Sequence, residues 1–373
     1  MDSPIRILHV LGGLDAGGAE TFVMNLYRAI DRKKVQFDFI KHVSEEGIYE
    51  NEIHSMGGIV FKCPQYKGKN HFEYCKWWNS FFVEHPEYHL IHGHVRSTAS
   101  IYLHIANKYN LISIAHSHST SNGNGISSII KGVMQLPIRY IADYLFACSD
   151  EAGKWLFGKK SIKMPNYELI PNGIDLNKFA FDKEKRNRIR EELNISKDTI
   201  VIGHVGRMTI PKNHKFLINL FKEYSYYNPN SKLLLVGDGE LYSDIKDKCD
   251  LLGISDSTVF VGSKLNTEDY YNAMDAFVFP SLWEGLGIVV IEAQSNGLSC
   301  FVSDAIPKEA ILSNCVKIYS LDSMNEWLED IKKVKIGERD TVQKDKMMKY
   351  DIKTISNHLQ NFYLKQLKGK IDE

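Results

Sequence analysis

The 373-residue chain reads as an α/β protein with two Rossmann-like halves, on three observations. Short apolar strand candidates alternate with helical stretches. The alternation begins twice, at Ile5 and again at Thr199. A turn-forming cluster, Pro171-Asn172-Gly173-Ile174-Asp175, separates the two runs. Alternating strands and helices imply parallel sheets covered by helices on both faces. Two domains also suit a chain of this length at roughly 100–200 residues per domain.

In chain order, Ile5–Val10 is the first strand. A glycine-rich loop (Gly12, Gly13, Gly17, Gly18) follows it, then a helix from Ala19 to Ile30 with Phe22, Val23, Leu26 and Ile30 at helical spacing. Further strands are expected at Phe37–Ile40, Leu90–His92, Ile112–His116 and Tyr144–Cys148. In the second half they are expected at Thr199–Gly206, Lys232–Val236, Val259–Val261, Ala276–Phe279 and Cys300–Val302. Asp182 to Glu192 is a charged stretch expected to form a solvated helix. Ile352, Ile355, Leu359, Phe362 and Tyr363 form a helical stripe that needs a partner. The expected division is therefore 1–174 and 175–349, with the terminal helix 350–373 packing back on the first half.

Composition narrows the function. With 43% hydrophobic and 25% charged residues, the chain has enough apolar side chains for two cores. Lys plus Arg equals Asp plus Glu at 46 each, so no basic excess points to nucleic acid. No apolar run approaches the ~18–20 residues of a membrane span. Met1-Asp2-Ser3-Pro4 lacks the basic start of a signal peptide. The six cysteines are scattered and read as reduced thiols of a cytoplasmic protein, without a zinc site. Ile126–Ile141, with Ile129, Ile130, Val133, Met134, Lys131 and Arg139, reads either as a membrane-facing helix or as a core helix. Pro137 and the zero net charge favour the core.

In open α/β sheets, ligands bind beyond the carboxyl ends of the strands. Gly17 and Gly18 stand there at a helix start, where backbone N–H groups suit an anion; a plain tight turn explains them equally well. Arg207 and Lys212 follow the strand ending at Gly206, and two cations there suit a diphosphate; two solvated surface charges are the other reading, which their place at a strand end weighs against. Gly237 and Gly239 permit either close approach of a ligand or a tight turn. Pro280 to Ala293 carries the most information. Glu284 follows an apolar strand, and Glu292 lies within the apolar run Ile288–Ala293, where a carboxylate is costly unless something binds it. Helical spacing would put the two carboxylates on one side, about 12 Å apart along the axis. Gly285, Leu286 and Gly287 between them would offer amides to a phosphate. His92-Gly-His94 and His116-Ser-His118 end two strands; lacking nearby Cys or carboxylate, they suit neutral hydrogen bonding better than zinc.

Taken together, Gly17-Gly18-Ala19-Glu20, Pro171 to Asp175, Gly206-Arg207…Lys212, Gly237-Asp238-Gly239 and Pro280-Ser281…Glu284-Gly-Leu-Gly287…Glu292 resemble the retaining family 4 glycosyltransferases of the GT-B fold. Within them the chain is similar to the bacterial exopolysaccharide and capsule enzymes. The resemblance covers essentially the whole chain, and E-x(7)-E is its most specific part. It implies two Rossmann-like domains facing across a cleft, the first on the acceptor side and the second binding the donor. It implies transfer of a hexose-type sugar from a nucleotide-diphosphate sugar, a UDP-sugar by preference, to a lipid-linked or other glycan. Neither metal nor cofactor is implied, and no D-x-D motif appears in a comparable setting. Peripheral contact with the inner face of the cell membrane is compatible with such an acceptor.

Carried over by position, Arg207 and Lys212 would clamp the diphosphate, Glu284 would meet the sugar hydroxyls and Glu292 the ribose. Gly285, Leu286 and Gly287 would present amides, with Gly237 and Gly239 beside them. His116, or failing it His118, would lie at the donor sugar, and Gly17 and Gly18 would close over the phosphates. Leu286 replaces the usual phenylalanine, and Leu298-Ser299 stand where a proline is usual after Gly297. A nucleotide-sugar 2-epimerase and a non-catalytic transferase-like subunit are the competing readings.

Overall fold

The computed structural model describes residues 3–15, 17–119 and 126–368. The chain folds into two compact units, 1–174 with 349–373, and 175–348.

The first unit holds a seven-stranded parallel sheet in the order β3-β2-β1-β4-β5-β6-β7. Its strands are β1 (Ile5–Leu11), β2 (Val35–Lys41), β3 (Val60–Lys62), β4 (Leu90–Gly93), β5 (Ile112–Ser117), β6 (Tyr144–Ala147) and β7 (Tyr167–Leu169). β2 is buried along its whole length, as expected of a strand covered on both faces. One apolar cluster (Ile7, Phe22, Phe37, Phe146) lines one face of the sheet, and another (Leu8, Trp78, Tyr102, Leu145) lines the other. The helix Ile352–Leu367 sets Ile352, Ile355, Leu359 and Tyr363 into the first cluster, and Phe362 packs against it. Residues 369–373 of the expected terminal segment lie outside the described residues, as do Met1 and Asp2.

The second unit holds a six-stranded parallel sheet in the order β10-β9-β8-β11-β12-β13. Its strands are β8 (Ile200–Val205), β9 (Ser231–Val236), β10 (Thr258–Gly262), β11 (Ala276–Phe279), β12 (Ser299–Ser303) and β13 (Val316–Tyr319). The three strands that the pattern did not announce, β3, β7 and β13, all lie at sheet edges. Short edge strands bury little side chain, so their sequences carry little hydrophobic signal.

Two expectations need correction. The helix Lys183–Glu192 is not solvated all round: Arg186, Ile189 and Arg190 are buried. Asp275, fully buried before β11, accepts hydrogen bonds from Arg186 Nη2 (2.6 Å) and Arg190 Nη1 (3.3 Å), and from the amides of Val201 and Gly337 at 2.8 Å each. Arg186 Nη1 also donates to the backbone carbonyls of Asn272, Ala273 and Met274, Arg190 Nη1 to that of Ala273, and Arg190 Nη2 to those of Ser196 and Thr199. Net charge along a helix therefore does not decide its exposure when a buried carboxylate waits opposite. Asp275→Ala should cost about 3–5 kcal/mol in a urea titration, because it strands two buried arginines; a loss below 1 kcal/mol would contradict this arrangement.

The second correction concerns Ile126–Ile141. It forms two helices, Ile126–Gln135 and Ile138–Ile141. Ile138 is buried, yet Ile129, Ile130, Val133, Leu136 and Tyr140 are exposed. The segment carries apolar residues on more than one face, and only one of those faces has a core to join.

Candidate functional site

In the second unit the chemistry collects where β8 and β11 end. The chain leaves β8 through Gly206 and Arg207, makes a short 3-10 turn (Ile210–Lys212) and enters the helix His214–Tyr227 through Asn213, whose φ is 52°. Arg207 is exposed. Lys212 Nζ donates to Glu284 Oε1 at 2.5 Å and lies 4.8 Å from the centre of the Phe279 ring. Ser281 Oγ donates to the same carboxylate oxygen at 2.8 Å. The amide of Leu282 donates to Pro211 O at 2.7 Å and ties the two loops together. The structure thus brings Lys212 and Glu284 together, 72 residues apart in sequence.

Gly237 and Gly239 approach this same loop, not open space. A Cβ on Gly237, whose φ is 138°, would collide with Gly206 O, and one on Gly239 would stand 2.5 Å from Met208 O. Met208 N donates to Asp238 O, and Leu241 N to Met208 O. The close approach that these glycines permit is therefore to the backbone around Arg207. Beneath the loop, His204 donates Nδ1–H to Val278 O at 2.9 Å and is fully buried beside His214.

Glu284 lies on a loop, because the helix spans only Ile288–Ser295. The helical spacing expected between Glu284 and Glu292 consequently does not apply. Gly287 is the N-cap at φ 78°, a conformation that suits glycine. Leu286 is buried, while Gly285 is partly exposed. Glu292 is buried within the helix, and its Oε2 accepts the Tyr271 hydroxyl at 2.7 Å. Desolvation pushes its carboxyl up to about 7, against the lowering effect of the Tyr271 bond.

In the first unit, Gly17 caps the helix Gly18–Ala29. The Glu20 carboxylate lies back over Gly17, so the chain supplies its own anion to that turn. On and just after the carboxyl-terminal parts of β1, β4 and β5 five histidines stack in two hydrogen-bonded rows. In one, Tyr363 O–H donates to His92 Nδ1 (2.8 Å), His92 Nε2–H to His116 Nδ1 (3.2 Å), and His116 Nε2–H to Ile170 O (3.3 Å). In the other, His118 Nδ1–H donates to Asn172 Oδ1 (3.0 Å), His94 Nδ1–H to His118 Nε2 (2.8 Å), and His9 Nδ1–H to His94 Nε2 (3.0 Å). This direction leaves His9 Nε2 as a bare, buried lone pair. The opposite direction would strand an N–H there, the costlier outcome.

All five rings are neutral. Burial drives every one below its ordinary 6.5, His118 to about 4 and His9 to about 3. Two trios, His9-His92-His94 and His94-His116-His118, bring ring nitrogens within 4.8 Å of one another. Yet His116 and His118 stack face to face at 4.1 Å, and His92 and His94 at 4.4 Å. Stacked rings direct their lone pairs side by side, whereas a metal needs them convergent. His116 is buried with both nitrogens engaged; His118 is the partly exposed ring of that pair.

Sequence reading missed His9, Asn172 and Tyr363 in this stack, and Ser281, Tyr271 and Phe279 around the carboxylates. His9 lies in the strand candidate Ile5–Val10, but its pairing with His92 comes from the β1–β4 register, which only the folded sheet sets. Tyr363 had no signal, being 271 residues from its partner.

Comparison with known proteins covers both units. Residues 16–178 match the model of Glycosyltransferase Family 4, and residues 185–340 that of Glycosyl transferases group 1. EpsF of Bacillus subtilis is 34% identical over 334 residues, covering 87% of this chain and 86% of its own. The Escherichia coli UDP-Gal:alpha-D-GlcNAc-diphosphoundecaprenol alpha-1,3-galactosyltransferase is 34% identical over 149 residues, 39% of this chain and 38% of its own. Among solved structures, Anabaena HepE in complex with UDP and glucose superposes with a TM-score of 0.77 at 17% identity, covering 96% of this chain and 99% of that one. The doubly covered parallel sheets and the loop set at the ends of β8 and β11 therefore have a family: the chain belongs to glycosyltransferase family 4 and carries its GT-B fold.

Proposed function

We propose that this chain transfers a hexose from a UDP-sugar to a lipid-linked glycan, with retention of configuration and without a metal ion. The observation that carries this reading is the Lys212–Glu284–Ser281 cluster at the ends of β8 and β11, beside exposed Arg207. The names of the E. coli relative, with its UDP-Gal donor and diphosphoundecaprenol-linked acceptor, and of HepE with UDP and glucose support it.

Breaking the sugar–diphosphate bond develops charge on the leaving group. Arg207 and Lys212 meet that charge as fixed cations, together with the amides of Gly285 to Gly287 at the helix start. Phosphate arriving at Lys212 draws it from Glu284 and frees that carboxylate for the sugar hydroxyls. Glu292 takes the ribose. The role expected of His116 falls to His118, the ring with surface exposure. The first unit serves the acceptor.

With cations of its own, the enzyme should keep donor hydrolysis and transfer within about twofold in EDTA. Complete loss restored by Mn2+ would overturn the clamp. Incubation without acceptor should release free sugar and UDP; accumulation of an epimeric nucleotide sugar would favour the epimerase reading. The anomeric configuration of the product, read by NMR, tests retention directly.

Glu292 should show a cost of function. Its carboxyl is raised in the folded state, so the stability it lends as a neutral acid is full below about 4.5 and lost as pH rises through about 7. At pH 8 that loss is roughly 3 kcal/mol. Glu292→Gln should therefore raise the thermal midpoint by several degrees at pH 8 while weakening UDP binding about tenfold. An unchanged midpoint would mean that the carboxylate is better solvated than its burial implies.

A further inference from the structure

Tyr271 has no use in the reading above, although it is the partner of Glu292. It is fully buried. Its ring is wedged between Phe179 and Phe277, whose ring centres are each 5.7 Å away. It stands on the helix Thr267–Ala273, whose last carbonyls are held by Arg186 and Arg190. So fixed, the side chain keeps one free motion, rotation of its O–H. The hydroxyl oxygen lies 2.7 Å from Glu292 Oε2 and 3.3 Å from Val289 O. A hydroxyl has one proton and two lone pairs, so only one of these acceptors receives the proton at a time.

This geometry serves Glu292 in both protonation states. With the carboxyl ionised, Tyr271 O–H donates to Oε2. With the carboxyl protonated on Oε2, the acid O–H donates to the Tyr271 oxygen and the tyrosine proton turns to Val289 O. Either way the engaged oxygen is Oε2, and a ligand meets the 8% of Glu292 that stays exposed. Among the described residues, the ionisable groups acting on this carboxyl are Tyr271 and Glu268, both on Thr267–Ala273. Cys300 of β12 lies near Tyr271. Lys178 and Lys308, on the two short segments packed against the helix Ile288–Ser295, are exposed, and Glu309 beside Lys308 is partly exposed. A phenylalanine would fill the same space without the hydroxyl, so packing alone does not account for a tyrosine here.

We infer that Tyr271 is a positioning residue for the nucleotide: its hydroxyl fixes Glu292 Oε2 so that the other oxygen meets the ribose diol as an ionised acceptor, and the carboxyl proton leaves to solvent as the nucleotide binds. The diol brings two donors, and an ionised carboxylate only accepts, so the ligand selects the ionised form. Tyr271 supports that form with a charge-assisted bond, about twice as strong as a neutral one, against burial and the like charge of Glu268. The carboxyl, pushed up to about 7, is therefore poised where binding of a diol shifts its proton. This role rests on the ribose assignment of Glu292 proposed above.

The test compares wild type and Tyr271→Phe, each against the same chain carrying Glu292→Gln, with UDP as the probe and Kd read by isothermal titration from pH 6 to 9. Taking the ratio at each pH removes the titration of UDP itself. In the wild-type chain Glu292→Gln should weaken binding about tenfold at pH 8 to 9 but less than about twofold at pH 6. Tyr271→Phe should move the midpoint of that profile up by about one pH unit. Its own loss of UDP affinity should then be about threefold at pH 7 and less than about 1.5-fold at pH 9. At pH 7 UDP should release about 0.4 proton more from wild type than from Glu292→Gln, read from binding heats in phosphate and Tris buffers. A second readout needs no ligand. The thermal midpoint lost relative to the Glu292→Gln chain should level off near pH 7 in wild type and about one pH unit higher in Tyr271→Phe. Loss of UDP affinity by one factor at every pH would mark Tyr271 as structural and overturn the proposal, and so would an unshifted profile. Wild type that binds no UDP at any pH would overturn the donor reading and this proposal with it; the ligand-free profile shows whether Tyr271 still governs the carboxyl, which tells the two failures apart.

Discussion

Glu284→Gln should lower kcat by about a hundredfold or more with a modest change in donor KM. On the proposed reading Glu284 meets the reacting sugar, and interactions that strengthen only in the transition state appear in kcat. The structure adds a second expectation. Glu284 holds Lys212 and Ser281 in place, so Lys212→Ala should also be severe, at roughly 10–1000-fold, and it should raise the Kd for UDP, which Glu284→Gln should leave nearly unchanged. Arg207→Lys should not restore full activity to this loop, because lysine lacks the planar fork. Isothermal titration with UDP separates the roles: the ligand contains the ribose and diphosphate but no sugar. If UDP affinity falls in the Glu284 variant and survives in the Glu292 and Lys212 variants, the donor has been placed backwards along these loops.

Acidification from pH 7 to 5 should unfold the 1–174/349–373 unit before the 175–348 unit. His9, His42, His92, His94, His116 and His118 all titrate below their ordinary 6.5, chiefly because burial disfavours the charged ring. Above about pH 6.5 both folded and unfolded chains hold these rings neutral, and stability is full. Below it the unfolded chain takes up protons that the folded chain refuses, so stability falls until the folded values are reached. Each ring contributes about 1.4 kcal/mol per pH unit below about 6.5, so six set a ceiling of roughly 8 kcal/mol for each pH unit, and one such unit is comparable with the whole stability of a typical domain. The second unit buries two such rings, His204 and His214. Glu292 moves the second unit the opposite way: with its carboxyl raised to about 7, the folded unit gains stability as pH falls through that value, which widens the gap between the two units. Hydrogen exchange by mass spectrometry at pH 7.5 and 5.5 should show protection lost first in β1, β4 and β5. Equal loss in both units, or none, would mean that the rows admit protons at little cost. Ring nitrogen NMR shifts at pH 7.5 should find Nδ1–H on His9, His94 and His118, and Nε2–H on His92 and His116.

Much of this protein was written locally. The central strands could be read because each is a short apolar run bounded by turn residues. The candidate loops could be read because ligand chemistry in a doubly wound sheet gathers at the carboxyl ends of strands, and Arg207, Lys212 and Glu284 follow the ends of β8 and β11. The segment Ile352–Tyr363 announced a buried stripe through its period alone. Other features were decided only when distant residues met. Arg186 and Arg190 looked solvated until Asp275, more than 80 residues on, supplied the carboxylate that buries them. Gly237 and Gly239 were legible as points of close approach, but what approaches is the Arg207 loop. The histidines were visible as pairs, whereas their neutral state and their tautomers depend on Tyr363, Ile170 and Asn172. The helix at Ile129–Val133 has the apolar content of a core element, and only the surrounding packing leaves it facing outward. Periodicity reports which side chains shun water and strand ends report where a ligand can sit. Charge state, hydrogen-bond direction and the choice between two apolar faces depend on partners that only the folded chain assembles.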